Sequence, residues 1–207
     1  MARRGFPIVL SAPSGTGKTT LAHLLNESMD QLALSVSYTT RAMRGAEQEG
    51  VDYHFIEKKE FQAMIERDEF LEWAEVHGNL YGSGSLWTKQ NLKQGLDLIF
   101  DIDVQGGLQI KARTPEAVTI FIVPPSFEEL EKRLIRRGTE SPESIKKRLD
   151  NARAEVEIGL AQYDYVINNE KLDRALFDIT SIIRTHHIMR IDRKKIEARL
   201  FEESQKL

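Results

Sequence analysis

The chain has 207 residues, of which 41% are hydrophobic and 29% charged, and its formal net charge at pH 7 is −3. This length suits one domain with a substantial core, and the acidic balance argues against a general nucleic-acid or anionic-membrane binder. The sequence has no cysteine, which excludes disulfides, thiolate metal sites and a cysteine nucleophile. No apolar run reaches membrane-spanning length, so the sequence predicts a soluble cytoplasmic protein that binds neither membranes nor nucleic acid.

The first predicted strand, residues 6–10, is followed by a glycine-bearing loop and then by a helical pattern from Leu21 onward. This order is typical of a phosphate-binding P-loop, whose backbone N–H groups and helix N-terminus surround an anion. Lys18 is expected to reach the outer phosphates of ATP, and the Thr19 hydroxyl to ligate the Mg²⁺ that bridges them. Ala12 stands where the strict motif has glycine, which only forbids a positive φ there. The predicted ATP-binding residues are Ala12, Pro13, Ser14, Gly15, Thr16, Gly17, Lys18, Thr19 and Thr20.

A predicted strand at residues 32–37 leads into a polar loop that contains Arg41 and Arg44. Beyond this loop the chain mixes one amphipathic helix with short strand-like segments, and the segment 70–76 alternates strictly between two faces. We predict a small, mainly antiparallel lobe inserted into an α/β core. Its expected segments are strands at 53–56, 70–76 and 79–83 and a helix at 58–68.

The core resumes with a strand at 98–103, whose period of two places Asp101 and Asp103 on one face. Buried strands at 118–123 and 163–168 alternate with helices, which indicates a parallel sheet with helices on both faces. Ligands bind at the carboxyl ends of strands in such sheets, so the P-loop and the two aspartates should lie at one edge. The predicted class is α/β, a three-layer P-loop core with a parallel sheet, an inserted lobe and a helical lid.

A charged helical segment between the last two strands is the expected lid. Arg133 and Arg137 share one face of its first helix, and Arg148 lies on the next helix. The stretch from Asp173 to about Glu203 is expected to form one long helix or two, and its role in packing or in a homo-oligomer stays open. The expected division of the chain is 4–36 core, 37–90 lobe, 91–125 core, 126–158 lid, and 159–207 core and C-terminal helix.

A P-loop and a strand-end aspartate do not separate a motor, a switch GTPase and a kinase. The sequence lacks the Asn-Lys-x-Asp motif that a GTPase uses to recognise guanine, and the chain is small for a motor. A second set of groups that can bind phosphate lies on the predicted lobe. This set indicates phosphoryl transfer from a nucleotide to a small phosphorylated acceptor, under lobes that close to exclude water. The set comprises Arg41, Arg44, Tyr53 and Tyr81.

At these residues the chain resembles the guanylate kinase family, in order and spacing from about residue 8 to residue 185. The alanine at the first P-loop position is usual in that family. The segments with the strongest resemblance are Ser-Gly-Thr-Gly-Lys-Thr at 14–19, Ser-Tyr-Thr-Thr-Arg-Ala-Met-Arg at 37–44, Gly-Val-Asp-Tyr at 50–53, Phe-Leu-Glu-Trp-Ala at 70–74, Gly-Asn-Leu-Tyr-Gly-Ser at 78–83, Asp-Ile-Asp-Val-Gln-Gly at 101–106 and Arg-Leu-Ile-Arg-Arg-Gly-Thr-Glu at 133–140.

The resemblance implies a Mg²⁺-dependent transfer of the γ-phosphoryl group from ATP to GMP, and also to dGMP, in purine nucleotide metabolism. It implies that Glu72 accepts from guanine N1–H and N2–H₂, and that arginines bind phosphate with two parallel hydrogen bonds. The GMP-binding residues it implies are Ser37, Arg41, Arg44, Tyr53, Glu72, Tyr81, Ser83 and Asp101. The catalytic residues it implies are Lys18, Arg41, Arg133, Arg137 and Arg148, with Thr19 and, through water, Asp101 at the metal.

Two other interpretations remain open at this stage. A chain of this fold could be a non-catalytic interaction module, although its P-loop is intact and no binding domain is appended. It could also phosphorylate a different acceptor, in which case Glu72 would not recognise guanine. The relative roles of Asp101 and Asp103, and whether Ser83 or Ser85 contacts the base, are also left open.

Overall fold

The computed structural model describes residues 4–76, 78–136, 141–191 and 197 of the chain. Within these residues the strands are β1 Pro7–Ser11, β2 Leu32–Leu34, β3 Ser37–Thr39, β4 Tyr53–Phe55, β5 Phe70–Val76, β6 Asn79–Gly84, β7 Asp97–Asp101, β8 Val118–Val123 and β9 Tyr165–Asn168. The helices are α1 Lys18–Ser28, α2 Lys58–Glu66, α3 Ser85–Lys93, α4 Val104–Arg113, α5 Phe127–Arg136, α6 Pro142–Gln162 and α7 Leu172–Met189.

The larger sheet is parallel, with strand order β2-β7-β1-β8-β9. Its central strand β1 is fully buried, because apolar clusters cover both faces. Ile8 and Leu10 pack into one cluster with residues of α1 and α7, and Val9 packs into the other with residues of α4. This alternation confirms the three-layer α/β core, and it directs the loop after β1 to the carboxyl edge of the sheet.

The smaller sheet has the order β4-β3-β6-β5 and is mainly antiparallel, as predicted, with one parallel pair, β3 and β4. Helix α2 covers it because Phe61 and Met64 lie on one side of the helix and pack with Phe70 and Leu80. This second core is small and separate from the two clusters of the larger sheet. The lobe therefore has a hydrophobic core of its own.

Two strand predictions in this region were wrong in detail. The predicted single strand 32–37 is two short strands, since β2 pairs in the larger sheet and β3 in the smaller one. The strict alternation of 70–76 is interrupted by an irregularity between Phe70 and Glu72, so that Phe70, Leu71 and Glu72 are all buried. Both faces of β5 are covered at that point, because Phe70 packs into the lobe core and Leu71 into the core of the larger sheet.

The last part of the chain also differs from the prediction. Strand β9 begins at Tyr165, whereas Tyr163 is the C-cap residue of α6 and donates a buried hydrogen bond to Ser11 Oγ at 2.8 Å. The predicted helix from Asp173 to about Glu203 corresponds to α7, and most of its predicted continuation lies outside the described residues. None of the helices in the described part of the chain has the length and apolar character that a membrane span needs.

Candidate active site

The loop between β1 and α1 depends on two glycines with positive φ. Gly15 has φ 93° and Gly17 has φ 102°, a region that residues with a side chain rarely adopt. A Cβ atom on Gly17 would lie 2.8 Å from Asn169 Nδ2, which itself donates to the backbone carbonyl of Thr16 at 2.8 Å. The buried Asn169 side chain thus fixes the backbone of the loop through its hydrogen bond to Thr16.

This loop lines a cleft of about 330 Å³. Lys18 Nζ forms an ion pair with Asp101 Oδ1, and Thr19 Oγ1 donates to Asp101 Oδ2 at 2.8 Å. These contacts form because Asp101 is the last residue of β7 and lies opposite Leu10 of β1. The predicted meeting of the P-loop and the strand-end carboxylate at one edge is confirmed.

Two carboxylates, Asp103 and Glu155, line this cleft. Asp103 is the N-cap of α4 and accepts from Gly106 N at 2.8 Å, so capping is one of its roles. Burial raises the pKa of Glu155 to about 7, with a further increase from Asp103 and a decrease from Lys18. A phosphate-binding cleft with several acidic groups needs a cation to balance the charge when a polyphosphate binds.

A second cavity has a volume of about 320 Å³. Asp103 lines both cavities, so the second adjoins the first. Glu72 lies in this cavity with 5% of its surface exposed, and Ser83 Oγ donates to Glu72 Oε1 at 2.7 Å. Burial raises the pKa of Glu72 to about 7, while the Ser83 hydroxyl lowers it and Asp103 raises it further. The residues that line this cavity are Ser37, Tyr53, Glu72, Ala74, Val76, Tyr81, Asp101, Ile102 and Asp103.

The absence of a side chain on Gly106 leaves room for the Glu72 carboxylate, since a Cβ there would lie 3.0 Å from Glu72 Oε2. Helix α4 therefore begins in close contact with this carboxylate. Ser83 is buried and bonded to Glu72, whereas Ser85 is the first residue of α3. Of the two serines that the sequence left open, Ser83 is the one beside Glu72.

Arg41 lies beside the second cavity. Its guanidinium is 5.3 Å from the centre of the Tyr53 ring, and Tyr53 in turn packs edge-on against Tyr81. The Glu47 carboxylate and the Tyr81 hydroxyl raise the pKa of Arg41, although burial lowers it. Arg44 has an exposed side chain. Three of the four predicted phosphate ligands thus cluster at the cavity, and Arg44 projects into solvent from the same loop.

Two of the three lid arginines contact the P-loop. Arg148 Nη1 donates to Ser14 Oγ at 2.9 Å, and Arg133 Nη1 lies 3.4 Å from the Thr16 carbonyl oxygen. Arg137 lies outside the described residues. A third cavity, of about 390 Å³, opens between α5 and the loop and is lined by Gly15, Thr16, Gly17, Thr20, Glu129, Arg133, Arg136, Asn169, Glu170 and Leu172.

Sequence reasoning missed three residues at this site. Asn169 directly follows β9, so the rule that strand ends form the site could have indicated it. Glu155 lies seven residues after Arg148 on α6, which places both on one face of the helix. Glu47, which pairs with Arg41, had no comparable signal, because the pair depends on how the loop folds.

The oxygen ligands at the first cleft fit the requirements of Mg²⁺. This ion prefers one or two carboxylates together with phosphate oxygens and water, and the Thr19 hydroxyl and Asp101 carboxylate already lie in contact. Among the described residues no cluster of three or more histidines, cysteines, aspartates or glutamates could hold a metal ion by itself.

Comparisons with known proteins agree with this geometry. The family model described as guanylate kinase matches residues 4–186. A guanylate kinase of Myxococcus xanthus is 52% identical over 86% of this chain and 86% of its own length, and one of Dechloromonas aromatica is 48% identical over 94% and 96%. The crystal structure of guanylate kinase from Anaplasma phagocytophilum superposes with a TM-score of 0.72 at 36% identity, covering 90% of this chain and 88% of that one. The chain belongs to the guanylate kinase family.

Proposed function

We propose that this chain transfers the γ-phosphoryl group of ATP to GMP, and also to dGMP, to give ADP and GDP or dGDP. The observation that supports this most directly is that the two cavities adjoin, with Asp101 between them and Asp103 lining both. The first cavity has the P-loop amides and Lys18, which suit the phosphates of a donor nucleotide. The second has Glu72 and Ser83, which suit a guanine base.

On the donor side, the P-loop residues 12–20 bind the phosphates of ATP. Lys18 exchanges its contact with Asp101 for the outer phosphates, and the loop amides bind the oxygens between them. Because the loop amides are already in place before the reaction, they stabilise charge in the transition state without a reorganisation cost. Mg²⁺, held by Thr19 and, through water, by Asp101, would neutralise charge on the phosphate oxygens.

On the acceptor side, Glu72 accepts hydrogen bonds from N1–H and N2–H₂ of guanine, and Ser37 and Ser83 bind at the same edge of the base. Adenine lacks this pair of donors. A buried carboxylate therefore disfavours adenine, because one carboxylate oxygen would be left without a hydrogen-bond partner. Arg41, Arg44, Tyr53 and Tyr81 bind the phosphate of GMP. The position of Tyr53 and Tyr81 in the cavity supports this role.

The lid arginines complete the site. We propose that Arg133, Arg137 and Arg148 bind the transferring phosphoryl group, in support of which Arg148 and Arg133 already contact the P-loop. The lobe 37–90 and the lid 126–158 would close over the core segments 4–36, 91–125 and 159–207 to exclude water. No general base is required, because the acceptor phosphate is already anionic.

The composition of the sequence bears on the cellular setting and on the partners of the protein. We place the reaction in the cytoplasm, since the chain has no cysteine that would need an oxidising compartment. Its net charge of −3 argues against a nucleic-acid partner. A homo-oligomer stays a prediction, which size-exclusion chromatography with light scattering would test.

The direct test is ADP release in a coupled assay with ATP, Mg²⁺ and each of GMP, dGMP, AMP, CMP and UMP. We expect turnover with GMP and dGMP, and at least about tenfold lower kcat/KM with AMP. A Glu72→Gln variant should lose most of this preference, while Glu75→Gln removes an exposed carboxylate on the same strand and serves as its control. Equal turnover of GMP and AMP by the unmodified protein would contradict the assignment of guanine to the second cavity.

A further inference from the structure

Arg41 is held by a carboxylate of its own loop. Arg41 Nη2 donates to Glu47 Oε1 at 2.7 Å and Nη1 donates to Glu47 Oε2 at 3.0 Å, so the pair has two parallel hydrogen bonds. Nη1 also donates to the Ala42 carbonyl oxygen at 2.8 Å. Only 8% of the surface of Arg41 is exposed. A buried guanidinium at the proposed phosphate site is thus already neutralised before any phosphate binds.

Two explanations fit a carboxylate at this place. Because a carboxylate and a phosphate both match the guanidinium edge, Glu47 could occupy the position of the GMP phosphate and be displaced by it. Alternatively, Glu47 stays in place and orients Arg41, so that the phosphate meets the N–H groups that Glu47 leaves unused. These explanations predict opposite effects when the carboxylate is removed.

The contacts of Glu47 itself favour the second explanation. Its Oε2 accepts from the backbone N–H of Arg44 at 2.8 Å as well as from Arg41, so the carboxylate is bound by three donors. The guanidinium of Arg41 also packs against the adjacent Tyr53 and Phe55 rings, at 5.3 and 5.8 Å from their centres. A phosphate that displaced Glu47 would have to break the backbone contact as well.

The hydrogen-bond donors of Arg41 also favour the second explanation. A guanidinium has five N–H groups, and Glu47 and Ala42 use both on Nη1 and one on Nη2. The second N–H group on Nη2 and the N–H group on Nε make no hydrogen bond to Glu47 or Ala42. The exposed side chain of Arg44, whose backbone closes the same loop, carries a second positive charge close to the pair.

We propose that Glu47 is a positioning residue of the acceptor-phosphate site, which holds Arg41 in the orientation that GMP requires and fixes the loop from Arg41 to Glu47. Because Glu47 neutralises Arg41, Arg44 supplies the net positive charge that attracts the phosphate. Arg41 then contributes directed hydrogen bonds and not net charge. This assignment rests on the proposed function, since it presupposes that the acceptor carries a phosphate at Arg41.

The test uses Glu47→Gln, with Glu49→Gln as the matched control. Glu49 lies in the same loop and also accepts from a backbone N–H, that of Phe55 at 2.9 Å, but it does not contact Arg41. Binding of GMP and of guanosine is measured by calorimetry, and KM for GMP and for ATP by the coupled assay. We expect Glu47→Gln to weaken GMP binding and to raise KM for GMP about tenfold, with guanosine binding and KM for ATP unchanged.

A double variant shows whether Glu47 acts through Arg41. Arg41→Ala with Glu47→Gln should bind GMP no more weakly than Arg41→Ala alone, because the role of Glu47 disappears with its partner. Unchanged GMP binding in Glu47→Gln overturns the proposal, and tighter binding identifies Glu47 as a group that phosphate displaces. Equal weakening of guanosine overturns it too, because the effect is then not specific to phosphate. If the unmodified protein binds AMP as tightly as GMP, the proposed function itself fails. The other outcomes test only the role of Glu47 and leave the proposed function intact.

Discussion

Replacing Glu72 by glutamine should stabilise the free protein, and this effect should increase with pH. Burial raises the pKa of the Glu72 carboxyl from 4.5 to about 7. Between these pH values the folded protein holds a proton that the unfolded chain has released, so the free energy of unfolding falls as pH rises. Glutamine cannot ionise and keeps an oxygen that accepts from Ser83. The free energy of unfolding of the variant is therefore not lowered by a buried charge in this cavity.

The size of the effect follows from the pKa. A rise from 4.5 to about 7 corresponds to about 3 kcal/mol at high pH, since one pKa unit is worth about 1.4 kcal/mol. At pH 5.5 part of this cost is already present. The difference in unfolding free energy between Glu72→Gln and the unmodified protein should therefore grow by about 2 kcal/mol from pH 5.5 to pH 8.5.

Urea unfolding without nucleotides, at both pH values, measures this difference. Comparing the change with pH cancels any constant effect of the substitution on packing. Glu75→Gln, on the exposed part of the same strand, reports what an exposed carboxylate contributes. A difference that stayed constant or shrank as pH rose would refute the argument that the carboxylate is destabilised by burial.

Three further predictions concern binding, catalysis and the P-loop. At pH 6.5, guanosine binding should release a proton from Glu72, which calorimetry detects as a heat that depends on the buffer; Glu72→Gln should abolish this dependence. Guanosine is the probe because the phosphate of GMP, whose second pKa is about 6, would release a proton of its own. Lys18→Ala should lower kcat about 10²–10³-fold in the coupled assay, and near-normal turnover would exclude the proposed donor site. Gly17→Ala should destabilise the protein by about 1–2 kcal/mol or more in urea unfolding, because of its φ of 102° and the contact with Asn169; an unchanged midpoint would show that the loop can relax.

Most of the fold could be predicted because it depends on local patterns. Continuous apolar runs such as 118–123 predict buried parallel strands, and the spacing of Phe61 and Met64 predicts the buried face of α2. The failures occurred where tertiary contacts override a local pattern. Alternation correctly puts Phe70 and Leu71 on opposite faces of β5, but it could not show that each face meets a core of its own or that the strand is irregular between Phe70 and Glu72.

The candidate site divides in the same way. Contacts within one segment, such as the P-loop with Lys18 and Thr19, are visible in the sequence, because backbone geometry and residue type determine them together. The proposed roles of Glu72 as a guanine ligand and of the lid arginines at the transferring phosphoryl group came from the resemblance to the family. The pKa of Glu72 could not be predicted, since it depends on burial beneath α4 and on the position of Asp103.

By itself, the sequence determined the glycine-bearing loop after β1, the parallel core and the order in which the lobe and lid follow it. Residue type and spacing suffice for these because each is a property of one continuous segment. Only the tertiary structure decided which groups contact each other across segments: Lys18 with Asp101, Glu72 with Ser83, and Asn169 with the P-loop. Those pairs join residues between 11 and 153 positions apart, and only the packing of the sheets and helices brings them within hydrogen-bond distance.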